Sequence, residues 1–174
     1  MPEIHNPKRR NLLSESRLLS EFLAEEYKGR TFTLQFRVGG YPLGIDVDQL
    51  DDAERRVLRN FNRWVDCVVH PPPELVVIEA AMWNAVAKTA QLEAYLLLLP
   101  STPGYDQWRG APLVPLILTA QHDPIAEELC RRRGFRYVFR EPAWIADFYA
   151  LYPHRRRRSP PAEFLAIPPQ TALL

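Results

Sequence analysis

The sequence predicts an α/β fold in which helices flank a mixed central sheet. Short apolar runs at 65–69, 75–81 and 114–119 alternate with longer segments of helical periodicity. A proline-rich turn at 70–74 joins the first two runs, which is typical of an antiparallel hairpin. The third run is followed by a helix and another strand, and such strand–helix–strand units pair in parallel. Antiparallel and parallel pairs are therefore expected in one sheet.

The composition excludes several classes of protein. The chain has 174 residues, of which 47% are hydrophobic and 25% charged, so one domain with a substantial core is expected. Because the net charge is +1, any nucleic-acid surface would have to be a local patch. Cys67 and Cys130 are too far apart for a CxxC zinc motif or a disulfide framework. No apolar run suits a membrane span or a signal peptide, so we expect neither membrane association nor secretion.

The first half of the chain is predicted to contain two helices and one strand. Residues 1–11 are expected to form an irregular basic arm, followed by a helix over 14–27. Strict alternation over 31–38 predicts a half-buried strand whose core-facing residues are Phe32, Leu34, Phe36 and Val38. A second helix is expected over 51–62, with Asp51 or Asp52 as its N-cap.

The second half adds the hairpin, three helices and two further strands. A helix over 82–99 follows the hairpin, and a helix that begins at Asp123-Pro124 ends before Gly134. A strand over 135–139 and a short helix to about residue 152 complete the order. Residues 12–152 are thus predicted to form a single domain, and residues 153–174 an arginine- and proline-rich tail.

Two acids in the hairpin are the first indication of a functional site. Asp66 lies in one apolar run and Glu79 in the other. A carboxylate inside an apolar strand is costly unless it is paired, hydrated or bound to a metal. Because the hairpin brings the two strands together, we expect the two acids to lie close to each other.

The order of elements, with Asp66, Glu79 and Gln91 at their spacings, resembles the PD-(D/E)XK nuclease superfamily over roughly residues 12–150. The resemblance implies a restriction-endonuclease-like fold in which Asp66 and Glu79 bind Mg²⁺. It also implies that Gln91, on the following helix, orients water or phosphate, and that Glu15, on the first helix, assists a second metal ion.

The sequence departs from the family pattern at the motif lysine. Ala81 occupies that position, and alanine cannot stabilise negative charge that develops on a phosphate. Lys88, one turn before Gln91 on the same helix face, is a substitute, since the lysine of this superfamily is known to migrate to that helix. The alternative interpretation is that Lys88 is a solvent-exposed lysine.

Three functions are compatible with these observations. The leading prediction is a catalytically impaired protein that serves as a structural or DNA-contacting subunit of a phage or mobile-element assembly, in the cytoplasm or a virion. The second is an active Mg²⁺-dependent deoxyribonuclease with Lys88 as the catalytic lysine. The third is an interaction module unrelated to nucleases, in which Arg37 or Arg63 pairs with the acids.

The tail and one helix end carry further candidate contacts. Clustered arginines, which suit either phosphate contacts or docking to a protein, are Arg131, Arg132, Arg155, Arg156, Arg157 and Arg158. Apolar residues between prolines near the C-terminus are expected to dock into a groove of a partner subunit, and these are Phe164, Leu165 and Ile167.

Overall fold

The computed structural model describes residues 7–40, 49–54 and 63–153. Two compact units divide between Pro142 and Ala143. Within the described residues, the second unit contains one helix, α4 (Ile145–Leu151), close to the predicted position. The first unit contains α1 (Pro7–Glu26), β1 (Phe32–Val38), β2 (Arg63–Val69), β3 (Leu75–Ala81), α2 (Ala85–Leu98), β4 (Leu113–Thr119), α3 (Pro124–Arg133) and β5 (Arg136–Phe139).

The described strands form one five-stranded sheet in the order β1-β2-β3-β4-β5. The pairs β1–β2 and β2–β3 are antiparallel, whereas β3–β4 and β4–β5 are parallel. The mixed sheet is therefore confirmed, with the antiparallel meander first and the parallel crossover after it. This is the restriction-endonuclease-like arrangement that the resemblance implies.

Helices cover both faces of the sheet. Leu116 lines a cavity with Phe22 of α1, whereas its neighbour Ile117 belongs to the core cluster that contains Leu92 of α2. Since successive residues of a strand point to opposite faces, α1 and α2 lie on opposite sides of β4. The predicted flanking of the sheet by helices is confirmed. No helix in the described ranges is long and apolar enough to cross a membrane.

Helix α3 begins and ends at the residues that the sequence predicts. The Asp123 carboxylate accepts hydrogen bonds from the backbone N–H groups of Ile125 and Ala126, with Pro124 in the first helical position. Gly134 ends the helix at a φ of 69°, a conformation that glycine adopts without strain. Both terminal signals of this helix are thus confirmed.

The predicted helix over 51–62 is described only at its beginning. The Asp51 carboxylate accepts from the backbone N–H of Glu54, and the Glu54 carboxylate accepts from the backbone N–H of Asp51. These reciprocal bonds form a capping box, so Asp51 is the cap. The rest of that helix lies outside the described residues.

Three local features differ from the prediction. The first helix begins at Pro7, within the segment that was expected to be irregular. Helix α2 begins at Ala85 and not at Met82, because Asn84 has a φ of 59° and turns the chain before the helix starts. A larger difference concerns the facing of strand β1.

The alternating apolar residues of β1 do not all face the core as predicted, because Phe32 and Leu34 are 41% and 48% exposed. Phe36 and Val38, in contrast, pack with the core. Gln35 lies between these two halves with a φ of 49°, in the left-handed region that an L-residue seldom adopts. A residue in this conformation interrupts the pleat, so the two halves of the strand do not share one buried face.

Candidate active site

At the two acids, hydrogen bonds from backbone to side chain replace the regular backbone pairing of β2 with β3. Residue pairing between β2 and β3 is regular up to Cys67 and Ile78. Beyond that point the backbone N–H of Asp66 donates to Glu79 Oε1 at 3.1 Å, and the backbone N–H of Ala80 donates to Asp66 Oδ2 at 2.9 Å. Each carboxylate therefore binds the backbone of the opposite strand, and the predicted proximity of the acids is confirmed.

Lys88 reaches both carboxylates from the first turn of α2. Its ammonium donates to Glu79 Oε2 at 2.7 Å and to Asp66 Oδ2 at 3.3 Å. The side chains of Lys88 and Asp66 are each 20% exposed, whereas that of Glu79 is 0% exposed. Lys88 is thus held in an ion-pair cluster at the edge of the core and is not a freely solvated lysine.

Burial and charge set the ionisation of the cluster. Burial, followed by the neighbouring charge of Asp66, raises the pKa of Glu79 to about 7, although Lys88 opposes the rise. Burial lowers the pKa of Lys88, but the charges of Glu79 and Asp66 outweigh it and the net shift is upward. Lys88 therefore stays cationic, while the Glu79 carboxyl group titrates near neutral pH.

Gln35 is a site residue that the sequence did not identify. Its Nε2 donates to Asp66 Oδ1 at 3.4 Å from the neighbouring strand β1. The only signal in the sequence was a polar residue in an alternating strand. Its position opposite Asp66 depends on the β1–β2 register, which pairs Leu34 with Cys67 and Phe36 with Val65 and cannot be read from sequence periodicity.

Gln91 and Tyr95 lie on the same face of α2 as Lys88. The Gln91 side chain donates to the Tyr95 hydroxyl. Burial is the main cause that raises the pKa of Tyr95, and the charges of Glu79, Lys88 and Asp66 also act on it. The structure therefore places Tyr95 within electrostatic reach of the cluster, and Gln91 contacts it through its amide.

Glu15 of α1 also acts on the cluster through its charge. It contributes to the upward shift of the Lys88 pKa, after the larger effects of Glu79 and Asp66. A role for Glu15 at a second metal ion stays a prediction.

The remaining predicted contact residues lie away from this cluster or outside the described residues. Arg131 and Arg132 both pair with Glu128 on their own helix and are largely exposed. Residues 155–158 and the docking residues Phe164, Leu165 and Ile167 lie outside the described ranges. Their roles stay predictions.

Asp66 and Glu79 are the carboxylates that the cluster could offer to a metal ion. In the part of the chain that the structure describes, no group of three or more His, Cys, Asp or Glu side chains could hold a metal ion. Mg²⁺, however, usually keeps several waters and uses one or two carboxylates together with substrate phosphate oxygens. Asp66 and Glu79 supply two such carboxylates, and Lys88 competes with a cation for them.

Comparisons with known proteins give matches at the level of structure alone. The sequence matches no protein-family model and no curated protein. A repair endonuclease from Pyrococcus abyssi matches with a TM-score of 0.43 and 15% identity, over 72% of this chain and 46% of that chain. A complex of EndoMS with double-stranded DNA matches with a TM-score of 0.43 and 16% identity, over 74% and 45%. The chain spans less than half the length of either structure, and the matches describe only a similarity of fold.

Proposed function

We propose that this chain is a metal-dependent deoxyribonuclease in which Asp66 and Glu79 bind Mg²⁺ and Lys88 replaces the lysine missing at Ala81. The position of Lys88 is the observation that supports this proposal most directly. Its ammonium contacts both acids, at 2.7 Å and 3.3 Å, although it comes from the helix and not from the strand. An acid pair can hold a metal ion, and an adjacent lysine can stabilise the negative charge that develops on a phosphate during hydrolysis.

Each residue of the cluster has a distinct task in this mechanism. Asp66 and Glu79 would hold the Mg²⁺ ion, which would supply Lewis-acid polarisation of the phosphate and a water of lowered pKa. Lys88 stabilises the negative charge that develops on the phosphate oxygens. Gln35 fixes the orientation of the Asp66 carboxylate through its amide hydrogen bond. A water oxygen bonds to phosphorus, one P–O ester bond breaks, and the proton from water ends on the leaving oxygen, giving one phosphate and one hydroxyl end.

A plasmid-nicking assay with Mg²⁺ or Mn²⁺ tests this function. Wild-type protein is expected to nick the plasmid only when the metal is present. The variants Asp66→Asn and Lys88→Met are expected to lose at least about a hundredfold in rate, because the first removes a ligand of the metal and the second removes the cation that acts on the phosphate. Lys28→Met is the matched control, since Lys28 is exposed and outside the cluster. Nicking by Lys88→Met at the wild-type rate contradicts the role given to Lys88.

A catalytically impaired subunit of a larger assembly is the second candidate. It is favoured by the closed state of the cluster, in which Lys88 already neutralises a Glu79 side chain with no exposed surface. Such a cluster serves the fold without any metal. In that case the purified chain binds DNA or a partner subunit, and neither metal produces nicking.

A further inference from the structure

A cavity of about 280 Å³ adjoins the acid cluster. Its walls are Thr33, Gln35, Phe36, Arg37, Thr102 and Pro103. Gln35 is common to the cavity and the cluster, because its amide nitrogen lies 3.4 Å from Asp66 Oδ1. Gln35 therefore links the cavity to the carboxylate that is proposed to hold the metal.

The walls of the cavity are held in place by contacts from several elements. The Thr33 hydroxyl is hydrogen-bonded to His70 Nε2 at 2.9 Å, and the Phe36 ring packs against Trp108 with centroids 5.5 Å apart. Thr102 Oγ1 accepts from the backbone N–H of Gly39 at 2.8 Å. A cavity with fixed walls can bind a ligand without first ordering them, which favours affinity.

The lining combines the groups that a nucleotide needs. Arg37 supplies a guanidinium, which suits a phosphate, while the Thr33 hydroxyl and the Gln35 amide offer hydrogen bonds to a sugar or a base edge. Phe36 and Pro103 supply apolar surface for a ring. The volume is just below the roughly 300–1,000 Å³ typical of ligand pockets, so it suits one nucleotide and not a larger group.

The backbone of Gln35 gives an independent reason to assign a function here. A φ of 49° is strained for a residue with a side chain, and such strain is concentrated at functional sites. The strained residue is the one that touches both the cavity and Asp66.

We propose that this cavity binds the nucleotide next to the cleaved phosphate and that Gln35 couples its occupancy to the orientation of Asp66. The position next to a cleaved phosphate rests on the proposed nuclease function, whereas binding of a nucleotide by the cavity can be tested without catalysis. Arg37 is then a substrate-binding residue and Gln35 a positioning residue.

Titration with thymidine 5′-monophosphate, in EDTA and followed by ¹H–¹⁵N spectra of the full chain, tests the cavity. The backbone signals of Gln35, Arg37 and Thr102 are expected to shift with a saturable dependence on nucleotide. Pro103→Trp fills the cavity from an exposed position and is expected to abolish these shifts. Arg37→Gln is expected to weaken binding about tenfold or more, as loss of a charge-assisted hydrogen bond does.

Arg109→Gln is the matched control, because Arg109 is exposed and pairs with Asp106 away from the cavity. It is expected to bind thymidine 5′-monophosphate like the wild type. The nucleotide assignment is wrong if the shifted signals belong to residues outside the cavity or if the shifts persist in Pro103→Trp. It is also wrong if inorganic phosphate alone produces equal shifts.

The nicking assay separates failure of the cavity from failure of the proposed function. If Pro103→Trp and Arg37→Gln nick with unchanged KM while Asp66→Asn is inactive, the nuclease function stands and the cavity assignment is wrong. If nucleotide shifts the cavity signals but no metal supports nicking, the cavity stands and the nuclease function is wrong.

Discussion

The Lys88 ammonium lies 2.7 Å from Glu79 Oε2, and the Glu79 side chain that it neutralises has no exposed surface. The sequence motif provided no lysine on the strand that carries Glu79, so the cation comes from the next helix. This pairing has consequences for stability as well as for catalysis, because a buried charge without its partner is costly.

Lys88→Met is expected to lower the free energy of unfolding by about 1–2 kcal/mol at pH 8, because the buried Glu79 carboxyl group loses its cation and has to take up a proton. The loss is expected to be smaller at pH 5, where Glu79 is protonated and needs no cation. Urea unfolding at both pH values measures the difference. Lys28→Met is the control for removal of an exposed lysine, and an equal loss for Lys88→Met at both pH values contradicts the buried pairing.

Glu79→Gln is expected to change the pH dependence of stability. The folded-state pKa of Glu79 is raised from 4.5 to about 7, so the folded protein holds a proton that the unfolded chain has released. Wild-type stability should therefore fall as the pH rises from 4.5 to 7, by up to about 3 kcal/mol from this group. In Glu79→Gln that part of the decline should be absent.

Glu128→Gln provides the control for this pH series. Hydrogen bonds from Arg131 and Arg132 lower the pKa of Glu128 to about 2, so it does not titrate between pH 4.5 and 7. Above about pH 5 the slope of stability against pH should match the wild type, because Glu128 then binds a proton in neither the folded nor the unfolded chain. An unchanged slope in Glu79→Gln shows that the Glu79 pKa is not raised.

Lys88→Met is also expected to bind Mn²⁺ more tightly than the wild type, about tenfold or more, while it loses nicking activity. The ammonium contacts both carboxylates that would bind the ion, so its removal takes away a competing positive charge. Calorimetric titration with Mn²⁺, at a pH where circular dichroism shows both proteins folded, measures the affinity. Equal or weaker binding by the variant means that Lys88 does not occupy the position of the ion.

Gln35→Gly is expected to separate stability from activity. Glycine adopts a φ of 49° without the cost of about 1 kcal/mol that a side chain incurs there, although it also increases the entropy of the unfolded chain. We therefore expect a free energy of unfolding within about 1 kcal/mol of the wild type. Nicking should be slower, because the hydrogen bond to Asp66 is lost. If Gln35→Gly nicks the plasmid as fast as the wild type, Gln35 has no role in the site.

Asp123→Ala is expected to destabilise the protein by about 1–2 kcal/mol, because two backbone N–H groups at the start of α3 lose their acceptor. Thermal unfolding measures this loss. Asp106→Ala, which removes an exposed carboxylate, is expected to have little effect. A similar Tm change in both variants contradicts the capping role.

Local chemistry explains which features were predictable. The Asp123 cap, Gly134 and the apolar runs of β3 and β4 depend on residues close in sequence, and the structure confirms them. The proximity of Asp66 and Glu79 followed from a short turn. In each case the interaction involves neighbouring residues or one hairpin, so periodicity and turn residues were sufficient.

Features that depend on distant register or on backbone strain were not predictable in the same way. Strand β1 alternates strictly in sequence, yet the left-handed Gln35 leaves Phe32 and Leu34 exposed. The contact of Gln35 with Asp66 spans two strands that are separated by a long segment. The hydrogen bond from Gln91 to Tyr95 joins two residues one turn apart on α2, and helical spacing alone does not show that two such side chains are bonded.

The hydrogen bonds from the backbone of Asp66 to Glu79 and from the backbone of Ala80 to Asp66 make these acids part of the sheet as well as part of the proposed site. Each carboxylate takes the place of a missing backbone partner, and Lys88 pairs with both. A lineage that no longer needed the chemistry would still find any single change among these three residues costly. Inactivation in such a lineage would be expected first at Gln35 or at the cavity wall, where substitutions leave the sheet intact. Survival of the three charged residues in a relative would therefore be a poor guide to whether that relative still cuts DNA.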